Sequence, residues 1–271
     1  LICDRFSVSA ALKPDHRRDG TNFAVINIFR MKKIILLSFF VFLAIVVKGQ
    51  ISYNYQEYGI GMGASYIRGY TNVNNQYNHP EFHMNFIYNY NPYLPITAEI
   101  QTGQLSGGGL SSSLDKYGRQ YDNHYKAAII RGDLQLGAGI DYHDNSFLNF
   151  VKNFYIGSGI GLMSSSIQNQ RYSIYDASYR FPGNNGNIGV IIPLRIGYEV
   201  KFYNSYEEPT YAINIGYAHN VVFGSGIDGY NDPSAKFKNN SPDQYRQMFV
   251  EFKYYFGNIV SYNKSVRLSK Y

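Results

Sequence analysis

Three groups of side chains in this 271-residue chain have the types and spacing to do chemistry. Ser111, Ser112 and Ser113 beside His124, and His219 farther along, supply hydroxyl nucleophiles and imidazole bases, which need to meet within hydrogen-bond reach to catalyse acyl transfer. Asp228, Asn231 and Asp232 supply the oxygen ligands that calcium favours. Gly59, Gly61 and Gly63 have the glycine density of a phosphate-cradling loop, a motif that also needs a helix N-terminus facing the phosphate. Each group has a plainer explanation. His219 is followed by Asn220 and Val221 and so lacks a serine two residues on, Asp-Gly and Asp-Pro steps are ordinary turn chemistry, and glycines at every second position follow the period of a strand. The histidines are scattered and the one cysteine is Cys3, so no thiolate metal site is expected after residue 50. We therefore assign no catalytic residue, no cofactor and no metal ligand from the sequence.

The period of two is the informative signal. From Glu57 to Tyr66 it places Tyr58, Ile60, Met62, Ala64 and Tyr66 on one face and Glu57, Gly59, Gly61, Gly63 and Ser65 on the other. The same alternation returns over Glu81–Tyr90, Ile96–Gln104, Tyr125–Tyr142, Phe154–Ser164, Ile188–Phe202, Tyr211–Asn220 and Tyr245–Phe256. The pattern predicts an all-β fold: a closed, eight-stranded antiparallel transmembrane β-barrel with short periplasmic turns (Asn91–Pro95, His143–Asn153, Tyr203–Thr210) and longer outer loops (about 70–80, 105–124, 165–187 and 221–244). The Gly107-Gly108-Gly109 run with Ser111 to Ser113 reads as a mobile loop tip.

Alternation alone does not say which face meets lipid; the aromatic residues do. Tyr58, Tyr90, Tyr142, Phe154, Tyr198, Phe202, Tyr211, Tyr254 and Phe256 fall on the apolar face at strand ends on the short-turn side, where they form a periplasmic aromatic girdle below aliphatic residues. The opposite face carries Glu57, Glu81, His83, Glu99, Arg131, Asp133, Asp141, Arg195, Glu199, Lys201, Glu251 and Lys253 among glycines, and of these Glu99, Arg131, Asp133, Arg195, Glu199, Glu251 and Lys253 are assigned to the lumen. An eight-stranded barrel has an interior just wide enough for side chains, so these charges form a lumen network in which Glu99, Glu199 and Glu251 pair with Arg131, Arg195 and Lys253.

Met31, Lys32 and Lys33 precede fourteen apolar or small residues, Ile34 to Val47, and then Lys48, Gly49 and Gln50. This is the layout of a secretory signal peptide over 31–49, and its apolar core is shorter than the roughly 20 residues of a spanning helix. Residues 1–30 are then expected to be upstream over-translation, 50–256 the outer-membrane barrel and 257–271 a periplasmic C-terminal tail. The chain's +6 charge is concentrated at its start: residues 1–49 hold eight Lys or Arg against three acids, which leaves +1 for the remainder. A nucleic-acid partner, which needs a basic face, is therefore not expected. All 28 tyrosines follow residue 50, as suits a chain crossing two membrane interfaces.

The layout resembles the small outer-membrane barrels of the OmpA and OmpX type and, more narrowly, the Bacteroidetes-type barrels that include an accessory barrel of the type IX secretion system. The likeness is carried by residues 57–66 (EYGIGMGASY), 88–94 (YNYNPYL), 154–162 (FYIGSGIGL) and the closing 249–256 (FVEFKYYF). It implies location in the outer membrane, contact with membrane lipid, insertion by the barrel-assembly machinery and a non-enzymatic structural or interaction role, as an accessory or anchor of a secretion complex. A periplasmic or surface protein partner is the corresponding expectation. Some barrels of similar build modify outer-leaflet lipid as deacylases and others are adhesins, which are the alternatives. The fifteen residues after Phe256 depart from the pattern, since such barrels usually stop at that aromatic.

Overall fold

The computed structural model describes residues 54–142, 145–224, 226–231, 233, 243–262 and 264. The signal-peptide and upstream expectations, Asp232 and most of the C-terminal tail lie outside them. Eight strands follow in chain order: β1 Asn54–Tyr70, β2 Asn78–Asn91, β3 Leu94–Gly108, β4 Gln120–Gln135, β5 Phe154–Asn169, β6 Gly186–Tyr203, β7 Pro209–Phe223 and β8 Asp243–Ser261. Each pairs antiparallel with its neighbour, and β8 pairs back onto β1 to close the barrel. Closure matters physically because it leaves no row of unpaired backbone groups at a sheet edge.

The strands run past the expected ends. The shortest has 14 residues and the longest 19, against the 9–11 or so that suffice to cross a bilayer. The added length lies mainly at the end holding connections 71–77, 109–119, 170–185 and 224–242, hereafter the loop end. The turn end holds 92–93, 136–153 and 204–208.

Four expectations are corrected by the structure. β4 stops at Gln135, not Tyr142; a 3₁₀ turn, Leu136–Ala138, and a helix α1, Ser146–Val151, follow, so this connection is long. The strand ends there because Gly137 sits under the Tyr93 ring and its N–H turns to the carbonyl of Lys152 (2.8 Å). Asn145 caps α1, its side-chain oxygen accepting from the N–H groups of Phe147 and Leu148. β8 continues beyond Phe256 to Ser261, past a bulge in which Gly257 (φ 103°) and Asn258 stand opposite Glu57. Glu57 consequently leaves the ladder and accepts a hydrogen bond from Asn258 (3.4 Å). The glycine run at 107–109 is built into the wall: Gly107 and Gly108 of β3 pair with Tyr121 and Gln120 of β4, the N–H of Gly108 donates to Asn75 O (2.6 Å), and at φ 81° a side chain there would strike Arg119 O.

The interior is layered. Towards the loop end, Ile67, Leu105, Tyr121, Tyr125, Ile129, Met163, Ile167, Ile191, Val222 and Tyr245 from the strands pack with Val73, Phe181, Ile227 and Tyr230 from the loops into one buried apolar cluster. The charged layer lies below it. Tyr93, Tyr142, Tyr203 and Tyr255 surround a cavity of about 30 Å³ at the turn end, room for about one water.

Candidate functional site

The polarity of the wall is the reverse of a water-soluble barrel. Ile130 on the outside is 63% exposed, while its neighbour Arg131, pointing in, is 2% exposed. Ile60, Met62, Phe82, Met84, Ile100, Ile160, Leu162, Leu194, Ile196, Val250 and Phe252 continue the exposed apolar surface around the barrel.

Inside, the register places a small residue opposite most charged ones: Arg131 faces Gly159, Asp133 and Arg195 face Gly157, and Lys253 faces Gly61 and Ala212. A methyl group on Gly157 would lie on the Asp133 carboxylate, and one on Gly159 would meet Ile130 O and the Arg131 backbone. The glycines are thus the room into which the long side chains fold.

The structure brings all seven sequence-predicted lumen residues together. Arg131 binds Glu99 through Nη2 (2.7 Å) and Nε (3.1 Å), Asp133 through Nη1, and approaches Glu251 at 3.8 Å. Lys253 binds Glu199 (2.6 Å) and lies 3.9 Å from Glu251. Arg195 makes longer contacts to Asp133 (3.6 Å) and Glu99 (3.9 Å), and its guanidinium rests on the Phe249 ring at 4.2 Å. Neutral donors complete the set: Asn85 and Asn214 to Glu251, Gln101 to Glu99, and Tyr255 and Gln135 to Glu199.

Three further residues that the alternation places on the inward face join them. Lys201 donates to Gln135 (2.9 Å) and Pro92 O (3.0 Å) at the turn end. Glu81 accepts from Ser65 and Gln247, with His83 Nδ1 at 3.1 Å. His83, Glu99 and Glu251 place ligand-type atoms within 4.8 Å of one another. The Arg131 guanidinium already lies against both carboxylates and supplies positive charge where a metal ion would have to sit.

Of the predicted girdle, Tyr90, Phe154, Phe202, Tyr211 and Tyr254 are exposed on the outside, with Tyr58 and Phe256 partly so. Tyr58 meets Tyr88 (5.9 Å) and Phe256 (6.4 Å), Phe256 meets Tyr254 (6.1 Å) and Tyr254 meets Tyr211 (5.3 Å), a run of rings across β2, β1, β8 and β7. Two residues depart from it. Tyr142 has left β4 and is buried at the turn-end mouth, its hydroxyl bonded to that of Tyr93. Tyr198 faces outward but is covered by Phe154 (4.6 Å) and Phe150 (5.3 Å) of α1 and donates to Phe150 O.

The described residues of the loop end form a hydrogen-bonded cap. Arg119 donates to the buried Asp115 and to Asn72 O (2.6 Å), tying 109–119 to 71–77. Burial raises the Asp115 carboxyl, but the Arg119 hydrogen bonds and charge outweigh it and hold it below its ordinary value. The Tyr230 hydroxyl reaches Gln120 O and Gln170 O, and Asn231 N donates to Pro182 O, tying the fourth loop to the third. Asp228 is buried beneath this cap near Asp243, which accepts from the N–H of Ile227. Burial and then the Asp243 charge push the Asp228 carboxyl up to about 8. Leu110, Tyr172, Ile174 and Tyr175 are exposed on top.

The histidines and serines do not meet as acyl transfer would require. His219 bonds Gln244 (2.7 Å), His124 lies 3.7 Å from Asp122, and Ser111 bonds Ser113. A pair not foreseen does form: His79 Nε2 and Ser106 Oγ are 2.6 Å apart, and among the described residues no carboxylate is bonded to His79.

No protein-family model and no curated protein sequence matches the chain. Among solved structures it is similar to Ail, the attachment invasion locus protein of Yersinia pestis, in complex with the heparin analogue sucrose octasulfate (12% identity, TM-score 0.39, covering 74% of this chain and 99% of that one). It is also similar to Neisserial surface protein A (10%, 0.38, covering 74% and 97%) and to the outer membrane protein OprG from Pseudomonas aeruginosa (9%, 0.30, covering 76% and 99%).

Proposed function

We propose that the chain is an integral outer-membrane barrel that acts as an anchored interaction protein, with the loop end outside the cell and the turn end in the periplasm. The observation that carries this reading is the combination of an apolar outer wall with an interior closed by an apolar cluster above a paired-charge layer. A wall of that polarity is stable only against lipid, and a lumen filled in that way gives ions no continuous water path. The function then rests on what is displayed. The hydrogen-bonded cap holds Leu110, Tyr172, Ile174 and Tyr175 at the surface, the composition of a protein-binding patch.

The partner that meets this cap is a surface protein, and the accessory or anchor role in a secretion complex is the specific form of this proposal. Crosslinking in intact cells from positions 110 and 175, followed by mass spectrometry, is expected to capture one dominant protein. Equal capture from a position on the lipid-facing wall would refute a cap-mediated contact. Planar-bilayer recording is expected to show no steady open conductance.

One observation favours a second reading, an outer-leaflet lipid-modifying enzyme: the hydrogen-bonded His79 and Ser106 at the loop end. Loss of lipid deacylation in Ser106→Ala would establish it, and its absence in the wild type would remove it.

A further inference from the structure

On the outer wall, Arg68 of β1 stands directly opposite Arg246 of β8, and Arg246 stands opposite His219 of β7. Like charges facing across a ladder repel, yet neither guanidinium has an ion-pair partner among the described residues, and the Nε of Arg68 is buried without a hydrogen-bond acceptor. The surrounding groups are neutral: Gln244 bonded to His219, Tyr70 with Arg246 at 6.0 Å from its ring, and Asn78 opposite Arg68. Two residues nearer the middle of the wall, about 7 Å along the strands, the same three strands present Tyr66, Met248 and Tyr217, followed by Ala64, Val250 and Ile215. Two arginines without an ion-pair partner among the described residues therefore cap an apolar strip in which Ala64 is the small member.

We propose that this strip is a binding site for one phosphate-bearing lipid of the outer leaflet, its phosphate held by Arg68 and Arg246 and its acyl chains lying over Tyr66, Met248, Tyr217 and Ala64. The site rests on the membrane reading given above, with the loop end outside. Two arginines directly opposite each other on paired strands supply the donors for the several oxygens of a phosphate monoester, and the order of rows, charge at the rim and hydrocarbon below, matches the order of groups in an amphiphile. A soluble anion would satisfy the arginines but would leave the apolar rows unused.

The test is native mass spectrometry of the folded protein released from phosphatidylcholine bilayers containing lipid A or dephosphorylated lipid A, with a heat-dependent gel shift in the same preparation to report insertion. The wild type is expected to retain lipid A and not the dephosphorylated form. Arg68→Gln with Arg246→Gln is expected to lower occupancy about tenfold or more, as loss of charged hydrogen bonds implies, while Lys126→Gln on β4 leaves it unchanged. Equal retention by the double variant, equal retention of the dephosphorylated lipid, or displacement by excess inorganic phosphate would overturn the site while the membrane reading stands. A wild type that never inserts, with no gel shift, would overturn both.

Discussion

Removing the Arg131 guanidinium would leave Glu99, Asp133 and Glu251 buried with neutral donors on Glu99 and Glu251 and, as ion pairs, the longer contacts of Arg195 and Lys253. A buried carboxylate that loses its partner costs far more than an exposed one, so Arg131→Met is expected to destabilise the barrel by about 3–5 kcal/mol, read as a lower urea midpoint of unfolding from lipid vesicles. Lys201→Met is expected to cost less, because that side chain keeps 10% of its surface at the turn-end mouth. Space is tested separately. Gly157→Ala displaces Asp133 from its pairing and is expected to cost about 1–3 kcal/mol, whereas Gly139→Ala, with nothing within 4 Å, is expected to be neutral. The two-residue period identified which charges share the interior, because parity along a strand fixes the face. It did not identify who binds whom: Arg131 reaches Asp133 two places along its own strand as well as Glu99 on the neighbouring one.

At the level of elements, the cap over the loop end contains the group with the clearest pH signature. Asp228 holds its proton up to about 8 in the folded protein, against an ordinary 3.8. Between those values the folded chain binds more protons than the unfolded one, so the contribution of Asp228 is complete below the lower value and is lost as pH rises through the upper. Asp228→Asn, which imitates the protonated side chain, is expected to gain on the wild type as pH rises across that window and to hold a constant margin above it. A margin independent of pH in urea unfolding would contradict this assignment. The strands were legible from alternation, but their ends were less so. In β4 the alternation of Leu136, Ala138 and Ile140 continues through a stretch where Gly137 packs under Tyr93 and the chain turns, and this is why Tyr142 is absent from the girdle. The apolar layer near the loop end was also missed, although a signal existed. Ala127 to Ile130 and Val190 to Ile192 are apolar at both parities, as expected for a wall with hydrocarbon outside and a packed core inside.

For the whole molecule, closure of eight strands and the reversed polarity of the wall are the properties from which the proposed function follows, and both were readable from the spacing of glycines, charges and aromatics. A partner was not, since recognition would depend on loop surfaces whose residues obey no period. The reversed polarity is directly measurable, because Cys3 is the chain's single cysteine and can be replaced. Nitroxide labels would then be placed one at a time at 100, 130, 160 and 250 on the outer wall and at 99, 129 and 251 inside, with the protein in lipid vesicles. Relaxation by lipid-dissolved oxygen is expected to be strong at the first set and weak at the second, with a water-soluble nickel complex reaching neither. Strong relaxation by the nickel complex at 100, 130, 160 and 250 would show that water covers the outer wall and would contradict a membrane-spanning barrel.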